Sequence, residues 1–244
     1  MTGRKKVEDP RRRWLVQALG LGVLAGALPE SALGQSLFGS RPDRLANGRS
    51  IYRAVGDVTL NGKPADVTTQ IKPGDTIRTG KGAELVFAVG AHAMIVREGS
   101  ELSLDGIIDA AKGPLLGALR LITGKLLSVS RNTRMSISTP TATIGIRGTG
   151  WYAEADPQRT YFCTCYGTSD VSAVEDPSSR ETVESEHHDR PLYVLSKPSG
   201  GKSILPAPFI NHTDQELMLI EALVGRTPPF VFPNDAYSGP RRGY

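Results

Sequence analysis

Apolar side chains in this chain come in short runs that alternate with polar or small residues, and over most of the length the spacing is that of strands rather than helices. Ile51 to Leu60 alternates and ends on Asn61-Gly62, the strongest short hairpin signal. Ile71 to Ile77 wraps a Pro73-Gly74-Asp75 turn. Glu84 to Val89 and Ala93 to Val96 are apolar enough for core strands on either side of Gly90, and Leu102-Ser103-Leu104 follows a Gly99-Ser100 turn. Leu119 to Ile122 and Lys125 to Val129 flank Thr123-Gly124, and Met135 to Ser138 completes the series. Between them, Ile107 to Leu116, with Ala110, Ala111, Gly113 and Pro114, predicts a loop with one helical turn. Short strands at close spacing predict an all-β fold: a sandwich, a barrel or a stacked β-coil.

The stretch from Ile137 to Gly150 has no helical period, and Pro140 with Gly145, Gly148 and Gly150 breaks it into strand, turn and strand. Its Thr139-Pro140-Thr141-Ala142-Thr143-Ile144-Gly145-Ile146-Arg147-Gly148-Thr149 run, behind strands turned by Gly56, Asn61-Gly62, Pro73-Gly74-Asp75 and Gly80, resembles the FecR domain over about residues 51–155. The resemblance implies a twisted, solenoid-like stack of short strands, a periplasmic address and a sensing, binding or protein-interaction role with a partner in the cell envelope. Signalling members carry a cytoplasmic anti-sigma segment ahead of a membrane helix. Thirteen residues precede the first apolar run here, so direct sigma-factor control is not expected.

Past Asp156-Pro157 the composition changes. Thr160 to Gly167 is a strand by residue type, and Ser169 to Val174 is expected to pair back on it across Gly167-Thr168. Thr182 to Glu186 leads to His187-His188-Asp189, and Pro191 to Leu195 to a Gly200-Gly201 turn. Thr213 with Glu216 three residues on forms a capping box, and Leu217, Ile220, Leu223 and Val224 make an apolar stripe that stops at Gly225. That is the one helix expected. Residues 226–244 hold four prolines and predict an extended or disordered tail.

Charge alters this picture only at the N-terminus. The formal charge is +4, and residues 1–13 hold six bases and two acids, so the rest of the chain is neutral and offers no surface for a phosphate backbone. Nucleic acid is therefore excluded as a partner. Trp14 to Leu28 has the length of a signal-peptide core and falls short of the ~20 residues that span a bilayer. Arg11-Arg12-Arg13-Trp14-Leu15 fits the twin-arginine export pattern, and Ala32-Leu33-Gly34 supplies the small residues for cleavage before Gln35. The expected organisation is a signal peptide at 1–34, a linker at 35–50, the FecR-like β domain at 51–155, a β-plus-helix extension at 156–225 and the tail at 226–244. The processed protein would be periplasmic, with no spanning segment.

Candidate chemistry is confined to the last third, where both cysteines and three of the four histidines lie. Cys163 and Cys165, two apart on a strand, leave the same face. With His187, His188 and His212 they suit Zn²⁺ or a copper ion, for which thiolate and imidazole are the preferred donors. Adjacent His187 and His188 could both ligate only from a turn. A strained Cys163–Cys165 disulfide and inert packing of two thiols are the alternatives. A nucleophilic role for Cys165 with His188 and Asp189 has no motif behind it, so no enzyme is expected. Gly145 to Gly150 and Gly200 to Ser203 have the wrong spacing for phosphate loops, and Arg147 is expected to satisfy backbone carbonyls at a turn.

Overall fold

A computed structural model describes residues 45–230 apart from Asn47, the side chains of 131–133 excepted. The expected leader, the linker up to Arg44 and residues 231–244 of the tail lie outside the described residues. The described chain is all-β with one C-terminal helix, an open antiparallel sheet and not a closed barrel. Its strands are β1 (Ile51–Val55), β2 (Val58–Leu60), β3 (Lys63–Pro64), β4 (Thr76–Thr79), β5 (Glu84–Val89), β6 (His92–Val96), β7 (Glu101–Asp109), β8 (Gly113–Ser138), β9 (Ala142–Ala155), β10 (Arg159–Ala173), β11 (Arg180–Ser185), β12 (Leu192–Ser199) and β13 (Lys202–Pro206). The helix, α1, runs Asp214–Leu223.

Strand β8 organises the sheet. Its first half pairs with β7, its Leu126 to Val129 segment pairs with β6, and from Gly124 to Ser138 it pairs with β9 on its other side. The change of partner falls at Gly124, whose φ is 94° and where a Cβ would meet the Ser100 backbone at 2.4 Å, so only glycine fits. The Thr123-Gly124 pair that resembles a strand break is thus a change of neighbour inside one strand. Ile107 to Leu116 is also not a loop: β7 and β8 meet there as a hairpin whose Ile107 and Ile108 are exposed. A hairpin arm wet on both faces carries no alternation to read. Asn61-Gly62, both at positive φ, makes the expected tight turn between β2 and β3.

The pairing of β9 with β10 carries the sheet past residue 155 without a break. Strand β10 is one strand, where a hairpin at Gly167-Thr168 was expected. The glycine instead lies at an irregularity in the ladder, at φ 89°, with Thr149 and Gly148 of β9 against it. Along β10 the side chains divide cleanly. Phe162 joins Trp151 and Ala153 in the large core on one face, whereas Tyr161, Cys163 and Cys165 join Tyr152 on the other. Leu217, Ile220 and Leu223 of α1 close over that second face, as the stripe predicts, with Val224 packed beside them.

His92 in β6 is 2% exposed, and its Nδ1 has no hydrogen-bond partner among the described residues. Burial first, and then the charge of Arg226, pushes its pKa down to about 4. The folded state therefore binds fewer protons than the unfolded one below the ordinary histidine pKa, and stability falls as pH drops from about 6.5 towards 4. In urea unfolding at pH 7 and pH 4.5, the wild type should lose about 2 kcal/mol more than His92→Gln does. Parallel losses in the two proteins would assign the acid sensitivity elsewhere.

Candidate metal centre

Three separate segments bring their polar side chains to the space between β10 and the start of α1. The first is β10 itself. Cys163 stands opposite Tyr152 and Thr164 opposite Trp151, but Tyr166 stands opposite Gly150, so Cys165 is an extra residue with no partner on β9. Cys165 shares the face of Cys163 by alternation, and the bulge turns Tyr166 into the same cluster. Both cysteines are free thiols and fully buried.

The second segment is the turn after β11. His188 has φ 55°, a left-handed conformation that bends the chain inward, and its N–H donates to the Cys165 carbonyl at 2.9 Å. Asp189 holds the turn from outside by accepting from the Glu186 and His187 N–H groups at 2.7 and 3.2 Å. The third is the lead into α1. Asn211 is left-handed at φ 59°, its amide donates to Glu154 at 2.7 Å, and its carbonyl accepts from the buried Arg97. The bend delivers His212 inward, and Thr213 then caps the helix, accepting from the Glu216 N–H while the Glu216 carboxylate accepts from the Thr213 N–H.

One potential ligand atom from each of Cys163, Cys165, His188 and His212 lies within 4.8 Å of every other, and all four residues are buried. His188 Nδ1 is 3.5 Å from Cys163 Sγ and 3.2 Å from His212 Nε2. The outer ring nitrogens are committed. His188 Nε2 is 3.0 Å from Asp214 Oδ1, and His212 Nδ1 is 2.7 Å from the Ile210 carbonyl. Both of those partners only accept, so each outer nitrogen carries its proton and donates. With those protons outward, a neutral ring has its lone pair on the inner nitrogen, close to the sulfur atoms and to the other ring. His187 is not part of this set: its Nε2 reaches Asp214 Oδ1 at 2.9 Å, and its side chain is 43% exposed.

The charges agree with the geometry. Burial would lift the Cys163 thiol, but hydrogen bonds from Cys165, His188 and His212 outweigh it and hold the pKa well below the ordinary thiol value. Burial and then the neighbouring Cys163 push Cys165 the other way, well above it. Burial would also lower His188, yet Asp214 and Cys163 carry it up to about 9. Asp214 is pulled below the usual carboxylate range, because the two histidines overcome the effect of its burial. Phe209 stacks on His188 at 4.1 Å, and Phe230 lies 4.7 Å from His187. The first residues of the tail are thus packed on the site.

Of the expected ligands, Cys163, Cys165, His188 and His212 meet, and His187 stands outside them beside Asp214. Asp214 and the Ile210 carbonyl, which orient the two rings, were not foreseen from sequence. A carboxylate two residues after His212, at the first position of a capped helix, was the available signal. Asp189, cast beside His188 as an acid, serves the turn instead. Arg147 pairs with the Asp170 carboxylate at 3.0 Å on the surface, where backbone carbonyls were expected as its partners.

No protein-family description matches the chain, and no curated protein matches it. Two solved structures of a putative anti-sigma factor from Parabacteroides distasonis ATCC 8503 are similar to it, with TM-scores of 0.44 and 0.43 and 12% sequence identity each. They cover 69% and 67% of this chain, and 85% and 83% of their own. At that distance the similarity carries no conclusion about what this chain binds. Among the described residues, no helix is long and apolar enough to cross a membrane.

Proposed function

We propose that this chain is an exported, FecR-like β protein that binds one Zn²⁺ or Cu⁺ through Cys163, Cys165, His188 and His212 and acts as a binding or sensing module in the periplasm. The observation that carries the metal is the convergence of two sulfur atoms and two imidazole lone pairs whose tautomers are fixed from behind by Asp214 and the Ile210 carbonyl. Carboxylate-held and carbonyl-held histidines are the usual second layer of a metal site. Two sulfur and two nitrogen donors suit zinc or cuprous copper and leave no open position, which is the pattern of a structural or sensing centre rather than a catalytic one. Cys163, His188 and Asp214 also stand in the order of a nucleophile, base and acid, but Cys163 is fully buried and no substrate carbonyl could reach it. The twin-arginine-type leader fits this assignment, because that route carries proteins already folded and metallated.

The test is made on one sample of protein recovered from the periplasmic fraction without chelator. Elemental analysis should find about one Zn or Cu per chain, and N-terminal sequencing should begin at Gln35. Both thiols should resist alkylation until the metal is stripped. Absence of metal with two thiols that react only on unfolding would reject the function, as would thiols that appear only after reduction. An intact leader in the membrane fraction would reject the address.

A further inference from the structure

His188 faces two ways, and the second way leads to solvent. Its Nδ1 points at the buried cysteines and His212, while its Nε2 shares Asp214 Oδ1 with His187 Nε2, at 3.0 and 2.9 Å. One potential ligand atom from each of His187, His188 and Asp214 again lies within 4.8 Å of the others, so the described residues hold two candidate metal clusters joined through one imidazole. The inner four residues, His188 among them, are buried, as is Asp214, whereas the His187 side chain is 43% exposed. Phe209 and Phe230 wall the same place, stacked on His188 and lying against His187. Water therefore meets this double cluster at His187.

We propose that His187, His188 Nε2 and Asp214 form an outer, transient site through which the metal ion passes into and out of the buried Cys₂His₂ site. This rests on the metal-binding function proposed above and adds the route to it. A hydrated divalent ion would exchange water first for the exposed His187 imidazole and the Asp214 carboxylate, and any proton displaced from the ring nitrogens that faced Asp214 would pass to solvent water at His187. Rotation of the His188 ring then offers the ion to the buried sulfur atoms, the nearer of which, Cys163 Sγ, lies 3.5 Å from His188 Nδ1. The final ligands do not include His187.

A route changes rates and leaves end states alone, so uptake and release must slow by the same factor when it is removed. The measurement uses the full mature chain, stripped of metal and mixed with zinc chloride, followed by transfer to and from a chromophoric chelator. For His187→Ala, uptake and release should both slow by about tenfold, the scale on which groups just outside a metal's ligand shell act, while Kd stays within about threefold. His187→Asp, which keeps a ligand at the position, should recover most of the rate. Unchanged rates in His187→Ala would overturn the route, and so would a weaker Kd at an unchanged uptake rate, since His187 would then only orient Asp214. Wild-type chain that takes up no zinc would overturn the metal function itself, an outcome these variants cannot produce.

Discussion

Cys165→Ser should contain no metal, and its thermal stability should match that of wild-type protein stripped by a chelator. A serine hydroxyl is a poor ligand for zinc or cuprous copper, and the three remaining donors leave the tetrahedral shell one ligand short. The three contributing segments, β10, the turn at His188 and the lead into α1, are far apart in sequence, so a metal bound to all of them binds the folded chain and not the unfolded one. Its binding energy then appears as folding energy. With free metal at about a thousand times Kd, the gain is about 4 kcal/mol, which for a domain of this size raises Tm by roughly 10 °C. Addition of zinc should raise the melting temperature of the stripped wild type by that amount and leave Cys165→Ser where it was. A variant that responds to zinc like the wild type would remove Cys165 from the site. A metal-free variant far less stable than stripped wild type would mean that the thiol matters for packing alone.

Glu216→Ala should cost about 3–5 kcal/mol, the usual range for leaving one member of a buried ion pair unpaired. Arg97 and Glu216 meet at 2.8 Å with their side chains 3% and 6% exposed, between β6 and α1. The other Arg97 donor contacts are the Tyr152 hydroxyl at 3.1 Å and the Asn211 carbonyl, and the second Glu216 oxygen caps the helix through Thr213. Removal of the carboxylate takes the ion-pair partner from a buried guanidinium and removes half of the capping box. The double variant Arg97→Met with Glu216→Leu should recover much of the loss, because two apolar groups need no partner. Denaturant unfolding of the two single variants and the double variant checks this. A single-variant loss below about 1 kcal/mol would mean that water reaches the pair and screens it.

How much of this was legible in the sequence depends on what each residue answers to. The shared face of Cys163 and Cys165 follows from strand geometry alone, and the helix from Thr213, Glu216 and the apolar stripe, since both are set within a few residues. The all-β class followed in the same way. The meeting of His188 with His212 does not, because it depends on two non-glycine residues at positive φ, His188 and Asn211, which are held there by contacts with distant parts of the chain. Gly124 and Gly167 were misjudged for the opposite reason. Each is a strong local turn signal, but tertiary pairing used the freedom of glycine to change neighbours or kink a ladder inside a continuing strand. The buried Arg97 gave no signal, because its partner lies 119 positions away.

The bulge that presents Cys165 is not the only irregularity in its ladder, and the two cancel. Cys165 is a surplus residue on β10, and near Gly148, itself at φ 62°, β9 carries a surplus of its own before Thr168 meets Arg147. Below the excursion Cys163 stands opposite Tyr152, and above it Val171 stands opposite Ile144, in the same phase as if the strands had never departed from it. The Cys165 segment is therefore insulated from the rest of the sheet as an in-frame insertion is insulated from the codons around it. Loss of the β10 surplus alone would turn Val171, and loss of the β9 surplus alone Ile144 and Ile146, from the core face to the opposite face. Loss of both would leave a straight, well-paired ladder with no place for a second thiol. The phase above the excursion is kept only when β9 and β10 lose one residue each.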